Sequence, residues 1–240
     1  MKFLKFLERA LKPYVPQAAR KYLRKSKYEL VTTRAKPIEL VVHVGAHFGE
    51  DAAVYEALGA KTVLWIEADP TTYETLVKEM GARATGTTHL TENALISAET
   101  GSEVAFHIFS GDGASSSVHQ ASDAFRARFD QVAETGEVLS LPTRTLNDVL
   151  RTHGVDPTTA RHAMLVLDVQ GHEFEVLKGI GDGLGAFVFC KCEVSRVPFY
   201  EGGADFATLH QHFEAQGFKL VSHRPRGIPR HGDVLYQRAM

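Results

Sequence analysis

One stretch of the sequence decides the fold, and it reads Val41-Val42-His43-Val44-Gly45-Ala46-His47-Phe48-Gly49-Glu50. Residues 38–44 are apolar except for Glu39 and His43, which is typical of a buried parallel strand. The turn that follows contains Gly45 and Gly49, and glycine lets a backbone approach a ligand closely. A helix is predicted for residues 50–58. Such a unit places nucleoside ligands at the carboxyl edge of a parallel sheet.

The segments downstream of this turn alternate between strand and helix patterns. They predict strands at 62–66, 89–96, 163–169 and 187–194, helices at 71–81, 173–180 and 204–216, and a final antiparallel pair at 218–222 and 234–237. This alternation predicts an α/β fold with a mostly parallel, doubly wound sheet and helices on both faces.

The region at about 97–160 interrupts this alternation and is predicted to be an insertion. A hairpin is predicted over 95–108, turning at 99–102, and residues 119–140 are predicted to be helical and then loop-like. Between them, residues 111–117 are rich in glycine and serine. That composition suits a lid or acceptor-binding loop, and the alternative is a solvated connection.

Residues 1–36 form a basic leader, with eleven lysines and arginines against two glutamates. Phe3, Leu4, Leu7 and Leu11 fall on one helical stripe, so an amphipathic helix is predicted. The favoured interpretation is a helix packed on the domain with its basic side in solvent. The alternative is a helix that lies on anionic lipid or docks on an acidic partner. The α/β domain would then span residues 37–240.

Composition excludes several classes of protein. The chain has 240 residues and a net charge of −2, so the part after the leader is acidic, which argues against nucleic-acid binding. No apolar run reaches the roughly 20 residues needed to cross a bilayer, and no signal-peptide core is present. Cys190 and Cys192 are spaced poorly for a disulfide. The sequence therefore predicts a cytoplasmic protein. The alternative is a protein that the leader holds at the inner face of the membrane.

Acidic residues follow three of the predicted strands. Glu67 closes the second strand about 20 residues after the glycine turn, where a carboxylate can accept the hydroxyls of a ribose. Asp168 ends the strand at 163–169, and Glu193 ends the strand at 187–194. A buried carboxylate must be paired, liganded or shifted in pKa. Charges at strand ends are common, and for Asp168 the structural alternative is a helix cap.

The ordered motifs VHVGAHFGE, WIEADP, ENALIS, GASSSV, PTRTLNDVL, LDVQGHEFEVLKGI and CEVS resemble the FkbM-type family of S-adenosylmethionine-dependent methyltransferases. The resemblance runs from about Val41 to the C-terminus. It implies a Rossmann-like class I methyltransferase fold with a seven-stranded sheet whose last strand is antiparallel. It also implies O-methylation of sugar and other hydroxyls.

The resemblance further implies which residues hold the cofactor. These are His43, Gly45, Ala46, His47 and Gly49 at the turn, Glu67 and Ala68 at the ribose, Asn93 and Ala94 near the adenine, and Asp168 beside the methionine. Three positions depart from the family pattern. His43 stands where an Asp is frequent, His47 where an Asn is frequent, and Val166 where a Lys is frequent.

Methyl transfer to a hydroxyl requires alignment of the reacting atoms and removal of a proton. Asp168, His172 and Glu193 are the predicted catalytic residues, with His172 attractive because histidine titrates near neutral pH. Asp168 and Glu193 could instead hold a divalent metal, which nothing in the sequence supports. Tyr200 could stack against an acceptor ring.

Three functions are compatible with these motifs. The favoured one is a methyltransferase acting on a small-molecule or glycan hydroxyl. A nucleotide-dependent oxidoreductase is disfavoured because the glycine spacing is not G-x-G-x-x-G. A non-catalytic cofactor-binding scaffold or regulatory protein is the remaining alternative. The sequence leaves the acceptor and the oligomeric state open.

Overall fold

The computed structural model describes residues 37–222 and 231–238. The basic leader predicted for residues 1–36 lies outside the described residues. Among the helices of the described part, none is long and apolar enough to cross a membrane.

Ten strands and six α-helices make up the described chain. The strands are β1 Leu40–Val44, β2 Thr62–Glu67, β3 Thr88–Asn93, β4 Leu95–Ile96, β5 Glu103–Phe109, β6 Glu134–Arg144, β7 Ala163–Leu167, β8 Phe189–Ser195, β9 Phe218–Ser222 and β10 His231–Arg238. The helices are α1 Ala52–Leu58, α2 Pro70–Gly81, α3 Asp123–Arg128, α4 Leu146–Thr152, α5 Glu173–Ile180 and α6 Phe206–Ala215.

Seven of the strands form the main sheet, in the order β3-β2-β1-β7-β8-β10-β9. The pairs from β3 through β8 are parallel, and β10 is antiparallel to both of its neighbours. The prediction of a mostly parallel seven-stranded sheet that ends in an antiparallel pair is therefore confirmed. Cys190 and Cys192 lie buried and unbridged in β8.

Helices cover both faces of this sheet because successive strand residues point to opposite sides. On one face, Val42 and Val44 of β1 pack with side chains of α4, α5 and α6. On the other, Val41 packs with side chains of α1 and α2. All five residues of β1 are buried, which explains why every residue of the strand except His43 is apolar.

The prediction of a hairpin over 95–108 is wrong. β4 and β5 do not pair with each other, since β6 lies between them, parallel to β4 and antiparallel to β5. The prediction for residues 119–140 missed β6 as well, and only α3 is helical there. Six of the eleven residues of β6 are exposed, and inward-facing residues alternate only at Leu139, Leu141 and Thr143. The first half of the strand therefore shows no apolar alternation by which a strand is recognised.

The strand predicted at 89–96 is divided in two. β3 pairs with β2 in the main sheet as far as Asn93, and β4 belongs to the small sheet. The Asn93 amide donates hydrogen bonds to the carbonyl oxygens of Glu67, at 2.8 Å, and of Ala68, at 3.1 Å. The chain therefore leaves the main sheet at Ala94, and the inserted region starts beside the carboxyl end of β2.

Candidate active site

The register of the sheet brings the acidic strand ends together. Val44 is level with Ile66 on β2 and with Leu167 on β7, and Leu167 is level with Cys192 on β8. The next residue along each of these strands is therefore at the same edge of the sheet. Those residues are Gly45, Glu67, Asp168 and Glu193, and Asp233 of β10 pairs with Glu193.

A cavity of about 270 Å³ opens at this edge. Nine of the predicted site residues line it, namely His43, Gly45, Ala46, His47, Glu67, Ala68, Ala94, Asp168 and His172. Three others, Gly49, Asn93 and Glu193, are not among its lining residues. Gly113, Ala114 and Ser116 of the inserted region also line the cavity, so the glycine- and serine-rich segment lies over it.

Gly45 and Gly49 serve different contacts. Gly45 has φ +80°, and a Cβ atom there would lie 1.9 Å from the carbonyl oxygen of Asp168. The turn after β1 therefore passes the residue that follows β7 at a distance that only glycine permits. Gly49 has φ +76°, and its Cβ would lie 2.6 Å from Cε of Met80 on α2. Gly49 thus allows a helix to pack behind the turn, whereas Gly45 shapes the cavity itself.

Glu67 is a buried carboxylate held by backbone donors. Its Oε2 accepts a hydrogen bond from the amide of His47 at 2.8 Å, and its Oε1 accepts one from the amide of Asp69 at 3.0 Å. Burial raises the pKa of Glu67, and these two hydrogen bonds oppose the rise. Each oxygen keeps a further lone pair, so the side chain can still accept hydrogen bonds from a ligand in the cavity.

His47 connects the glycine turn to the inserted region. Its Nδ1 lies 3.0 Å from Oε1 of Glu50, and its Nε2 lies 2.9 Å from the carbonyl oxygen of Asp112. Burial lowers the pKa of His47, but the hydrogen bonds to Glu50 and Asp112 raise it by more than burial lowers it. The net effect is a pKa of about 9 instead of 6.5. Both ring nitrogens can then donate at neutral pH. The φ of +50° at His47 is uncommon for a residue other than glycine.

The stabilisation contributed by His47 is expected to depend on pH. Because folding raises the pKa from 6.5 to about 9, the contribution is complete below pH 6.5 and disappears as the pH rises past 9. Solvent screens the partly exposed pair with Glu50, so we expect an effect on the order of 1 kcal/mol. Urea unfolding at pH 6 and pH 10 checks this: wild type should lose more stability than His47→Gln across that range. Equal losses in the two proteins would contradict the assignment.

A lysine lies among carboxylates at the back of the cavity. The ammonium group of Lys191 is 3.2 Å from Oδ2 of Asp233 and 3.6 Å from Oδ2 of Asp51, and all three residues line the cavity. The negative charges around Lys191 raise its pKa, against the effect of burial. Lys191 is level with Val166 on β7, the position where the resemblance described above implies a lysine. The neighbouring strand therefore brings an ammonium group to this part of the edge.

This cluster of Lys191 with Asp51 and Asp233 was not predicted from the sequence, although the sequence contains one indication of it. Lys191 interrupts the apolar run at 187–192, and a charge within a buried strand requires a partner. Its partners could not be identified in the same way. Asp233 comes from the last strand, and Asp51 precedes α1, so only the folded sheet shows that they meet.

Asp168 lies deep in the fold and keeps part of its surface open to the cavity. Burial raises its pKa to about 6, with a further rise from the charge of Asp233. Burial and the charges of Asp168 and Glu173 raise the pKa of Glu193 well above its ordinary value. Within the ranges that the structure describes, no three His, Cys, Asp or Glu side chains are grouped to hold a metal ion.

His172 lines the cavity at the start of α5. Its Nε2 lies 3.1 Å from Oγ of Ser97, and its Nδ1 lies 3.4 Å from Nε2 of His119. Burial and the proximity of His119 lower the pKa of His172 to about 4. The imidazole is therefore neutral at physiological pH and a weaker base than an ordinary histidine. Tyr200, by contrast, packs its ring against Phe125, with 5.4 Å between the centroids, and does not line this cavity.

The sheet order, the final antiparallel pair and the glycine turn after β1 define the Rossmann-like methyltransferase class of fold. The methyltransferase FkbM domain matches residues 43–220 of this chain. The chain therefore belongs to the FkbM methyltransferase family and is an S-adenosylmethionine-dependent methyltransferase.

Individual relatives are more distant. The chain is 27% identical over 214 residues to the 2-O-methyltransferase NoeI of Sinorhizobium fredii, covering 86% of this chain and 82% of that protein. Among solved structures, it resembles a magnesium protoporphyrin IX methyltransferase from Synechocystis PCC 6803 with bound S-adenosylmethionine, at 12% identity and a TM-score of 0.47, over 92% of this chain and 80% of the other. A putative RNA methyltransferase from Pyrococcus horikoshii is similar at 9% identity and a TM-score of 0.43, over 90% and 82% of the two chains.

The residues of the cavity fit S-adenosylmethionine. Its lining includes five carboxylates, those of Glu50, Asp51, Glu67, Asp168 and Asp233. The cations among the described lining residues are Lys191 and His47, whose raised pKa keeps it protonated at neutral pH. An excess of negative charge favours a ligand that carries a sulfonium and an ammonium. The close crossing of Gly45 and Asp168 leaves backbone rather than side chain at the cavity wall.

Proposed function

We propose that this protein methylates a hydroxyl group of a sugar or of another small molecule. The observation that carries the proposal is Asp168, a carboxylate with a pKa of about 6 that lines the cavity beside the glycine turn. A general base works best when its pKa lies near the working pH, and a hydroxyl acceptor needs one. The 2-O-methyltransferase NoeI, similar along most of both chains, supports an oxygen acceptor.

The proposed roles follow from the geometry of the cavity. When bound, S-adenosylmethionine supplies a methyl group on a sulfonium, and the sulfur keeps the bonding electron pair as the acceptor oxygen takes the methyl. Asp168 receives the proton of the acceptor hydroxyl. Glu67 accepts hydrogen bonds from the ribose, and the segment at 113–116, which lines the cavity, contacts the acceptor. His172 is neutral and contributes shape and hydrogen bonding rather than proton removal.

The proposal for Glu67 predicts a loss of cofactor affinity. We expect Glu67→Ala to weaken S-adenosylhomocysteine binding by about tenfold or more, because hydrogen bonds to a charged group contribute about 1.5–3 kcal/mol. The matched control is Glu99→Ala, which removes an exposed carboxylate from the turn after β4. Isothermal titration of both variants makes the comparison.

A second variant separates ligand binding from support of the turn. Glu67→Gln keeps the size of the side chain and one oxygen that can accept the amide of His47 or Asp69. We expect it to retain thermal stability better than Glu67→Ala while still binding more weakly than wild type. Wild-type affinity in both variants would remove Glu67 from the site.

The acceptor class is tested by product release. Purified protein is incubated with S-adenosylmethionine and panels of neutral sugars, glycans and phenols, and S-adenosylhomocysteine is quantified. Turnover with a hydroxyl acceptor supports the proposal. Tight cofactor binding without turnover on any panel would favour the alternative, a non-catalytic cofactor-binding protein.

A further inference from the structure

Gln170 stands at the centre of a hydrogen-bond network that the roles above do not use. Its Nε2 donates to Oδ1 of Asp168 at 2.6 Å and to Oε2 of Glu193 at 3.0 Å. A single amide group therefore bridges the carboxyls at the ends of two neighbouring strands. Gln170 also lines the cavity.

The orientation of this amide is set from its other side. The hydroxyl of Tyr200 donates to Oε1 of Gln170 at 2.7 Å and also lies 3.1 Å from the carbonyl oxygen of Ser115. The oxygen of the amide is thereby occupied by a donor, which directs the NH₂ group toward Asp168 and Glu193. Tyr200 is itself fixed, because its ring is buried beside Phe109 and Phe125.

The backbone of Gln170 is also constrained. Its φ of +54° lies in the left-handed region, which residues other than glycine rarely adopt. Its carbonyl oxygen accepts a hydrogen bond from Oγ of Ser117 at 2.7 Å, and Ser117 forms an isolated bridge with His107 of β5. Strained conformations persist where surrounding structure enforces them, and they cluster at functional sites.

On the basis of the proposed function, we propose that Gln170 is a positioning residue that holds the Asp168 carboxylate ionised and aimed at the acceptor. Its two donated hydrogen bonds fix the distance between Asp168 and Glu193, and Tyr200 keeps the donor end of the amide facing them. Removal of these donors destabilises the ionised carboxylate, so the pKa of Asp168 rises.

Other charged groups also face this pair and set the background for its titration. Around Asp168 they are Asp51, which precedes α1, Tyr55 of α1, Lys191 of β8 and Asp233 of β10. Around Glu193 they are Glu173 from α5, Tyr200, and His231 of β10, whose Nε2 is 3.3 Å from Oε1 of Glu193. None of these groups is changed by substitution at position 170.

The test is a carbon NMR titration of aspartate-labelled protein, with the Asp168 resonance assigned by its loss in Asp168→Asn. We expect Gln170→Met to raise the pKa of Asp168 by about one unit. Gln170→Asn suits the left-handed backbone but is one methylene shorter, so it should raise the pKa similarly. Tyr200→Phe keeps the ring and should give a smaller rise. Gln131→Met, on an exposed loop, should give none.

The outcomes separate this inference from the proposed function. An unchanged Asp168 pKa in Gln170→Met and Tyr200→Phe, with both variants folded, overturns the positioning role. Wild-type behaviour in Gln170→Asn also counts against it, since backbone conformation would then be the only requirement. S-adenosylhomocysteine affinity is measured in parallel and should change by less than about threefold in Gln170→Met. Absence of binding in wild type would overturn the proposed function, while the titration still decides the role of Gln170.

Discussion

Gly45→Ala is expected to lose roughly 3 kcal/mol or more of unfolding free energy, together with S-adenosylhomocysteine binding. The added Cβ would meet the carbonyl oxygen of Asp168 at 1.9 Å, and the residue would also have to hold a φ of +80°. Because that oxygen belongs to the backbone, no side-chain rotation relieves the contact. The turn and the exit of β7 must separate, and this displaces both Gly45 and Asp168 at the cavity wall.

Gly101→Ala is the matched control for this prediction. Gly101 has a similar φ of +95°, but a Cβ atom there would meet nothing within 4 Å. We therefore expect only the conformational cost of about 1–2 kcal/mol and unchanged cofactor binding. Urea unfolding and isothermal titration of both variants provide the comparison. Equal effects of the two substitutions would show that the close crossing at Asp168 is not what requires glycine.

Asp168→Asn is expected to slow methyl transfer by about 10²- to 10⁴-fold, the range for loss of a general base. The same change should stabilise the protein at alkaline pH. Folding raises the pKa of Asp168 from 3.8 to about 6, so the folded state binds this proton more tightly than the unfolded state does. Stability therefore falls as the pH rises from about 4 to 6 and stays reduced above that.

Asparagine removes this ionisation and should recover roughly 2 to 3 kcal/mol at pH 8, but little at pH 4. Urea unfolding at the two pH values tests the stability effect, and product release tests the rate. Asp130→Asn, on an exposed loop, controls for the loss of a carboxylate. A destabilised Asp168→Asn variant at pH 8, or one with wild-type turnover, would contradict the role given to Asp168.

The central sheet could be predicted because its strands are buried on both faces. β1 and β7 are wholly buried, so burial appears in the sequence as apolar runs, interrupted in β1 only by His43, that stop before Gly45 and Asp168. The final antiparallel pair was recognisable for a related reason, since three successive residues of β10 are buried. The position of Glu67 followed from its distance to the turn.

The inserted region could not be predicted in the same way. β6 is mostly exposed, and its pairing with both β4 and β5 depends on contacts distant in sequence. The basicity of His172 was misjudged as well, because a lone histidine in a sequence shows nothing of its burial or of His119. The environments of Lys191 and Gln170 likewise depend on neighbours that only the folded chain supplies.

The place of β10 in the sheet has a consequence for synthesis of the protein. β10 lies between β8 and β9, and its residue Asp233 lines the cavity. Gly45, which lines the same cavity, comes almost two hundred residues earlier in the chain. A chain emerging from the ribosome therefore exposes the glycine turn long before the strand that completes the site. The lining of the cavity is complete only after β10 has inserted between β8 and β9, two strands that precede it in the chain. A ligand that contacts both Gly45 and Asp233 would therefore report that β10 has inserted into the sheet.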